Sequence, residues 1–274
     1  MNAPAGGMRY GYPPLTPGVR RLLLILGGAF VLNLLASLSP AAREAIPRSL
    51  GLNADQWGRP PAFAPLWQLV TYGFLHSDAG LSHLLFNALG LYFFGTMLEG
   101  LVGTQRFLTQ FLAAVVAGGV VHLVASWLLG GGRVPVVGAS GAVLALVCAA
   151  AVLEPRRTVL FLFIPVQLWV LAAIVVAGDL VGVLTSLRDG GGSVAHWVHL
   201  GGAAWGVLAV KRRWIWADPL ERLRRRRAAR DAEAALSEEA EVDRLLEKIQ
   251  REGIGALNRQ EKALLKRASA RRRG

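Results

Sequence analysis

The 274-residue chain contains a single cysteine, Cys148, which lies within an apolar run. One cysteine cannot form an intrachain disulfide, so we interpret Cys148 as a small core residue. Residues Met1–Pro17 are rich in glycine and proline and lack the cleavage pattern of a signal peptide. We therefore expect a disordered cytosolic N-terminus over residues 1–19.

Charged residues are scarce outside the C-terminal region. They make up 18% of the chain, apolar residues make up 53%, and the mean hydropathy is +0.42. Several apolar runs approach about 20 residues, the length that a helix needs to cross a bilayer. This composition favours a polytopic membrane protein over a soluble domain.

The basic residues concentrate at the C-terminal end of the chain. Residues 211–274 contain 19 of the 30 lysines and arginines but only 11 of the 18 acidic residues. A basic tail after the last apolar segment indicates the anionic cytoplasmic face of a membrane. Nucleic-acid binding is disfavoured, because acidic residues interleave with the basic ones and no aromatic residue follows Trp216.

The apolar pattern predicts an all-α membrane protein. Six helices are expected at approximately 20–39, 80–101, 106–129, 138–153, 166–186 and 194–212. The apolar segment Arg156–Pro165 is interrupted by a proline, so we expect it to form an interfacial lead-in to the fifth helix. After the helical domain at 20–213, we expect a charged linker at 214–241 and a small helical cytosolic module at 242–274. The module should contain two short amphipathic helices, broken around Gly253–Gly255.

The basic residues beside the predicted spans place both termini in the cytoplasm. Arg106, Arg157 and Lys211 then lie inside, whereas the short outer loops keep only Arg133 and Arg188. With this topology the second, fourth and sixth helices all begin on the outer side. Their starting segments carry the polar residues that are capable of chemistry: His83, Asn87, Ser140 and His199.

These four residues fit nucleophilic catalysis at membrane depth. A serine hydroxyl is a poor nucleophile and needs an adjacent base, a role for which the imidazole of His199 is suited. Attack by Ser140 on a peptide carbonyl creates an oxyanion that requires hydrogen-bond donors already in place. His83 and Asn87 are four residues apart and share a helix face, so with the backbone N–H of Ser140 they are candidate donors.

Each residue also has an ordinary structural interpretation. Small residues around Ser140 can serve close helix packing, Asn87 can bond between helices, and His199 can be a satisfied core histidine. The coincidence of all these residues in one leaflet favours catalysis. His196 competes with His199 for the role of base, but Gly202 and Gly206 would bring the sixth helix close to the fourth beside His199.

No metal site and no cofactor are expected from the sequence. His196 and His199 offer two ligands, but an HExxH motif is missing and carboxylates in the same leaflet are few. The sequence assigns no role to Asp179, and a structural role is favoured over a catalytic one for His76.

Several motifs together resemble those of the rhomboid intramembrane serine proteases, over the second to sixth helices. They are Trp67-Gln68 leading into His76, His83-Leu84-Leu85-Phe86-Asn87, Glu99 with Gly103, Gly138-Ala139-Ser140-Gly141, and Ala195-His196 through His199-Leu200-Gly201-Gly202 with Gly206.

This resemblance implies a six-helix bundle whose first loop lies partly in the membrane. It also implies a Ser–His dyad without a triad carboxylate, with Ser140 as nucleophile and His199 as general base. The oxyanion hole would consist of the Ser140 N–H, His83 and Asn87. The supporting residues would be Gly138, Gly141, Gly202, Gly206 and Glu99, the last as a buried acceptor near the cytoplasmic end of the second helix.

Two positions depart from the family pattern. Leu144 stands where an aromatic residue often stacks beneath the histidine, which would leave the base held by packing alone. Gln68 stands where many members have arginine, so no salt bridge is expected in the first loop.

We therefore predict an endopeptidase of the cytoplasmic membrane that cleaves transmembrane substrates near their outer ends. A catalytically silent rhomboid-like protein that binds clients is the main alternative, and a small-molecule transporter is disfavoured because no internal repeat is present. The C-terminal tail is expected to contact a cytosolic partner or the inner leaflet.

Overall fold

The computed structural model describes residues 14–57, 64–76, 81–129, 134–161, 164–188, 195–218 and 221–273. The chain divides into two compact units, Met1–Ala217 and Asp218–Gly274. Most of the N-terminal segment that is predicted to be disordered, residues 1–13, lies outside the described residues.

The first unit is helical at all six predicted segments. Its helices in chain order are α1 (Pro17–Ala36), α2 (Pro40–Leu50), α3 (Gln68–Thr71), α4 (Leu81–Gly90), α5 (Thr96–Val102), α6 (Thr104–Leu129), α7 (Ser140–Leu153), α8 (Leu168–Arg188) and α9 (Ala195–Lys211). A π-helical turn over Leu91–Gly95 joins α4 and α5 into one continuous span. The Thr96 hydroxyl donates to the carbonyls of Tyr92 and Phe93, which satisfies acceptors in this widened turn.

The expected fold class, an all-α membrane protein, is confirmed. Four spans among the described residues are long and apolar enough to cross a membrane: Pro17–Ala36, Leu81–Val102, Thr104–Leu129 and Leu168–Arg188. The apolar helix α7 is shorter, at 14 residues, which corresponds to about 21 Å at the usual helical rise.

The lead-in to α8 is a β-hairpin, a conformation that the sequence analysis did not predict. Strands β1 (Thr158–Phe161) and β2 (Ile164–Gln167) pair antiparallel, with Leu160 opposite Pro165. The β-branched and aromatic residues of the segment favour strands. Proline is tolerated because each strand of a two-stranded ribbon is an edge.

The core of the first unit surrounds α7, which packs against α6, α8 and α9. Most residues of α7 are buried, whereas α1 and α8 expose most of their apolar side chains. An exposed apolar surface of this kind is expected where helices face lipid. The most enclosed helix is therefore the one that begins at Ser140.

Gln68 organises the first loop through hydrogen bonds. Its Oε1 accepts from the Asn53 N–H and the Trp57 Nε1–H, both at 3.2 Å. Its Nε2 donates to Gln56 Oε1 at 2.8 Å and to the Arg48 carbonyl at 3.2 Å. The side chain is fully buried, and this set of partners satisfies both its acceptor and its donors.

Glu99 anchors the start of α1. Its carboxylate accepts from the backbone N–H groups of Gly18 and Val19 at 2.8 and 2.9 Å. The hydroxyls of Thr16 and Thr104 also donate to it, each at 2.6 Å. A carboxylate at this position pairs the free amides of the helix N-terminus and complements the helix dipole.

The second unit contains α10 (Glu221–Glu252) and α11 (Arg259–Arg273). The segment predicted to be a charged linker is helical from Glu221 onwards, and the first of the two predicted short helices is the end of α10. Ion pairs one turn apart, such as Arg225–Glu221 and Arg251–Glu247, support this polar helix.

The predicted break around Gly253–Gly255 is present in the second unit. Gly253 has a φ of +81°, which ends α10 in a conformation that favours glycine. Asn258 and Glu261 then form a reciprocal capping box at the start of α11, with bonds of 2.7 and 2.9 Å.

Replacement of Glu99 should destabilise the first unit. Glu99→Ala leaves four donors without their acceptor, and we expect a loss of about 2–3 kcal/mol, or roughly 5–10 °C in Tm. Glu99→Gln should lose nearly as much, because its amide N–H₂ would face backbone N–H groups. The measurement is thermal unfolding in detergent. Glu154→Gln, which removes only a surface pair with Arg157, is the control, and an equal effect of both Gln variants would contradict the anchoring role.

Candidate active site

The segment before Ser140 is tied to the first loop by backbone hydrogen bonds. Val136 and Leu52 exchange two bonds, at 2.9 and 3.0 Å, and the Gly138 N–H donates to the Tyr72 carbonyl at 2.9 Å. Gly138 has a φ of +127°, which L side chains rarely adopt. The backbone then enters α7 at Ser140, so the position of this serine is fixed by both the loop and the helix.

Glycines allow α7 and α9 to approach until their backbones touch. A Cβ atom at Gly202 would overlap the carbonyl of Gly141, and one at Gly206 would overlap the carbonyl of Ala145. A Cβ at Gly141 would lie 2.9 Å from the Val198 carbonyl oxygen. Gly202 and Gly206 form a small-xxx-small pair, and larger residues at these positions would separate the two helices.

The close approach brings Ser140 and His199 into hydrogen-bond contact. The Ser140 Oγ lies 2.7 Å from Nε2 of His199, and Nδ1 of the same ring lies 2.8 Å from Oδ1 of Asp179. The carboxylate accepts only if Nδ1 carries the proton, which leaves the Nε2 lone pair free to accept from the serine hydroxyl. In this tautomer His199 is able to accept a proton from Ser140.

Asp179 corrects two expectations from the sequence. The resemblance implied a dyad without a carboxylate, and Leu144 suggested a base held by packing alone. Instead the buried Asp179, from α8, holds the ring by a hydrogen bond. The signal available in the sequence was an acidic residue in an otherwise apolar span, because such residues are rare and usually functional.

His196 binds the same carboxylate oxygen as His199. Its Nδ1 lies 2.7 Å from Asp179 Oδ1, and the two imidazoles meet edge to face with centroids 6.3 Å apart. The His196 ring rests directly on Gly182 of α8, where a Cβ would overlap it. His196 thus binds the carboxylate of Asp179, whereas the hydrogen bond to Ser140 comes from His199.

Candidate hydrogen-bond donors border the start of α7. The N-cap is Ala139, whose side chain offers no acceptor, so the first N–H groups of the helix have no side-chain cap. His83 Nε2 and Ser140 Oγ lie 3.0 and 3.7 Å from the point that a Cβ of Gly138 would occupy. Both groups therefore border the same small space beside Gly138.

Asn87 reaches this region through His76. Its Nδ2 lies 3.0 Å from His76 Nε2, and both side chains are buried. The rings of His76 and His83 lie 5.2 Å apart between centroids. His76 therefore contacts both Asn87 and His83.

The predicted residues fall into two groups. Ser140, His199 and His83, with Gly138, Gly141, Gly202 and Gly206, lie together around the start of α7, and Asn87 joins them through His76. Glu99 contacts the start of α1 instead and takes no part in these hydrogen bonds.

Comparison with known proteins identifies relatives over the same part of the chain. Residues 64–214 match the Rhomboid domain family, and residues 233–271 match a family of unknown function. RHOMBOID-like protein 12, mitochondrial, of Arabidopsis thaliana is 33% identical over 161 residues, which cover 54% of this chain and 46% of that protein.

Two further relatives come from a yeast and a bacterium. Rhomboid protein 1, mitochondrial, of Saccharomyces cerevisiae is 32% identical over 53% of this chain and 41% of its own. Rhomboid protease GluP of Bacillus subtilis is 40% identical over 28% of this chain and 14% of its own. The chain therefore spans less than half the length of the curated relatives that it matches.

Replacement of Gly202 by alanine should separate Ser140 from His199. The added Cβ must push α9 away from the Gly141 carbonyl, and a misplacement of about 1 Å can lower reactivity roughly 10²-fold. The rate of Ser140 labelling by a fluorophosphonate measures this effect. Gly178→Ala is the control, because a Cβ there meets nothing within 4 Å. Undiminished labelling of Gly202→Ala would show that the close approach is not required.

Proposed function

This chain belongs to the rhomboid family, and we propose that it is an intramembrane serine endopeptidase. Ser140 is the nucleophile in this proposal, His199 is the general base, and Asp179 positions the base. The observation that supports it most directly is the 2.7 Å hydrogen bond between Ser140 Oγ and His199 Nε2.

The reaction begins with proton transfer from Ser140 to His199. As the Ser140 Oγ attacks the peptide carbonyl, its proton moves to Nε2, and the imidazolium that forms donates from Nδ1 to Asp179. The tetrahedral intermediate then expels the amine, which takes the proton from Nε2. Water enters and loses a proton to the same nitrogen as it attacks the acyl-enzyme, and Nε2 then returns that proton to the departing Ser140 Oγ.

The start of α7 supports stabilisation of the oxyanion. The backbone N–H of Ser140 lies at the N-terminus of α7, where the dipole favours negative charge. His83 borders the same space and serves as a side-chain donor in this proposal. Asn87 has two N–H groups on Nδ2, so it can donate to His76 and to the oxyanion at once.

The substrates that fit this site are transmembrane segments of other proteins. A membrane helix pairs its own peptide groups, so cleavage requires a substrate that unwinds near the end that meets the catalytic serine. The protein is a multi-pass membrane protein. By the distribution of its basic residues we assign it to the cytoplasmic membrane, with both termini cytoplasmic and cleavage near the outer surface.

A catalytically silent client-binding protein is the alternative within the same family. Such a protein has no need of a serine, an imidazole and a carboxylate aligned by bonds of 2.7 and 2.8 Å. Covalent labelling of Ser140 by a fluorophosphonate separates the two functions, because it requires an activated serine and no knowledge of the substrate.

Removal of either reacting group should abolish proteolysis. We expect Ser140→Ala and His199→Ala each to lower turnover of a model transmembrane substrate by at least about 10³-fold, since the nucleophile and its base act as one unit. The assay uses purified protein in detergent. Ser126→Ala, a buried serine on α6, is the control for loss of a hydroxyl. Turnover that persists in Ser140→Ala would end the proposal.

Replacement of Asp179 by asparagine should weaken the base without affecting substrate binding. The amide can present N–H groups to Nδ1 and so favour the tautomer that cannot accept the serine proton. We expect kcat to fall roughly 10²-fold or more, as expected for loss of a carboxylate that holds a catalytic histidine, with KM little changed. His196→Ala should cost far less, because it leaves the Asp179–His199 bond in place. A kcat within about threefold of the parent would exclude the positioning role.

A further inference from the structure

Asp179, His196 and His199 form a cluster of potential metal ligands. One ligand atom from each lies within 4.8 Å of the others. Both Nδ1 atoms point at the same carboxylate oxygen, at 2.7 and 2.8 Å. Asp179 also has a second oxygen, Oδ2, which is buried without a hydrogen-bond partner among the described residues. Two imidazole nitrogens and a carboxylate are a ligand set that zinc uses in proteins.

We propose that this cluster is an inhibitory site for a divalent cation of the zinc type. The proposal rests on the proposed function, since the cation acts by removing the base from Ser140. The site has three protein ligands and leaves a fourth coordination position open to water.

The two histidine–carboxylate distances need only a small expansion to accept the ion. At Zn–N and Zn–O distances near 2.0–2.2 Å and a tetrahedral angle, neighbouring ligand atoms lie roughly 3.3 Å apart. The present N–O separations of 2.7 and 2.8 Å are about half an ångström shorter. Side-chain rotations of the two histidines, which lie one turn apart on α9, can supply that difference.

The cluster is accessible from its histidine side. The side chains of His196 and His199 are 28% and 22% exposed, whereas that of Asp179 is only 7% exposed. A hydrated cation can therefore reach the two imidazoles first and then bind the buried carboxylate. Among the described residues, Asp179 forms ion pairs with these two histidines and with no Lys or Arg, so its negative charge favours a cation.

Metal binding and catalysis require opposite tautomers of His199. In the catalytic tautomer the proton is on Nδ1 and Nε2 accepts from Ser140. A cation takes the Nδ1 lone pair of each imidazole, so the single proton of each neutral ring must move to Nε2. The metal–ligand bonds replace two N–H···O bonds, and His199 then donates to the Ser140 oxygen. The serine keeps its proton and is no longer activated.

His196 makes the metal site separable from the catalytic groups. It contributes one of three ligands but makes no bond to Ser140 or to the oxyanion donors. Its ring is located by contact with Gly182, so Gly182→Ala should displace it from Asp179 without removal of any ligand. His196→Ala and Gly182→Ala therefore offer independent ways to weaken the cation site.

The test is a zinc titration of the purified full-length protein after treatment with a chelator. Zinc should inhibit substrate cleavage reversibly, with activity restored by EDTA. In His196→Ala and Gly182→Ala, each compared with its own zinc-free rate, the half-inhibitory concentration should rise about tenfold or more, since even outer-shell changes cost about 10–100-fold in metal affinity. Gly178→Ala, on the same helix with open space around it, should match the parent.

A binding measurement gives a second readout that does not depend on proteolysis. Cobalt added to Ser140→Ala should produce visible d–d absorption, and the added His196→Ala substitution should lower its affinity by a similar factor. If the metal-free parent enzyme is active but zinc does not inhibit it, the inferred cation site is overturned and the proposed function stands. Inhibition that is equally strong in His196→Ala would also overturn the cation site, because zinc would then act elsewhere. A chelated parent enzyme without any activity would instead count against the proposed function.

Discussion

The backbone contact between α7 and α9 is the constraint on which the rest of the site depends. Ser140 is the first residue of α7, and His199 lies in the second turn of α9, so neither side chain is long enough to bridge two normally spaced helices. Gly202 lies against Gly141, and Gly206 lies against Ala145, and both contacts exclude a Cβ. The hydrocarbon environment gives helices little hydrophobic reason to associate, so close van der Waals packing must supply much of the attraction. The same glycines thus allow close packing of the two helices and bring His199 within hydrogen-bond distance of Ser140.

The second constraint is the buried carboxylate of Asp179. An aspartate near the centre of a membrane helix costs about 2.5–3.5 kcal/mol on insertion scales. Hydrogen bonds to charged groups contribute about 1.5–3 kcal/mol each, so the two imidazole N–H groups offset this cost in the resting protein. In the proposed reaction His199 gains a proton, and the same carboxylate would then face a full positive charge at 2.8 Å. The interaction is therefore stronger in the transition state than in the ground state, which is the condition for catalysis.

Part of this arrangement follows from the sequence, because the length of apolar runs and the spacing of glycines are local properties. The apolar runs located the helices, and Gly202 and Gly206 predicted the contact that brings His199 to Ser140. Asp179 was missed because its partners lie 17 and 20 residues away on another helix, and no spacing rule links α8 to α9. The segment from Glu221 is predicted to be a linker because it is highly charged. The same charges form ion pairs one turn apart, and these pairs support a helix. The hairpin at Thr158–Gln167 was missed because short apolar runs do not distinguish strand from helix.

The polar residues buried in the first unit differ in how completely their hydrogen-bonding groups are satisfied. Glu99 and Gln68 have their hydrogen-bonding capacity filled by fixed backbone and side-chain groups, so they hold the helix start and the first loop in one state. Asp179 is different, because one oxygen is shared by two imidazoles and the other has no partner among the described residues. A group left partly satisfied in a low-dielectric region responds strongly to any new charge nearby. In the proposed reaction this response stabilises protonated His199. In the proposed inhibition it stabilises a bound metal cation. As proposed, the same carboxylate therefore both positions the base for Ser140 and binds the cation that inhibits it.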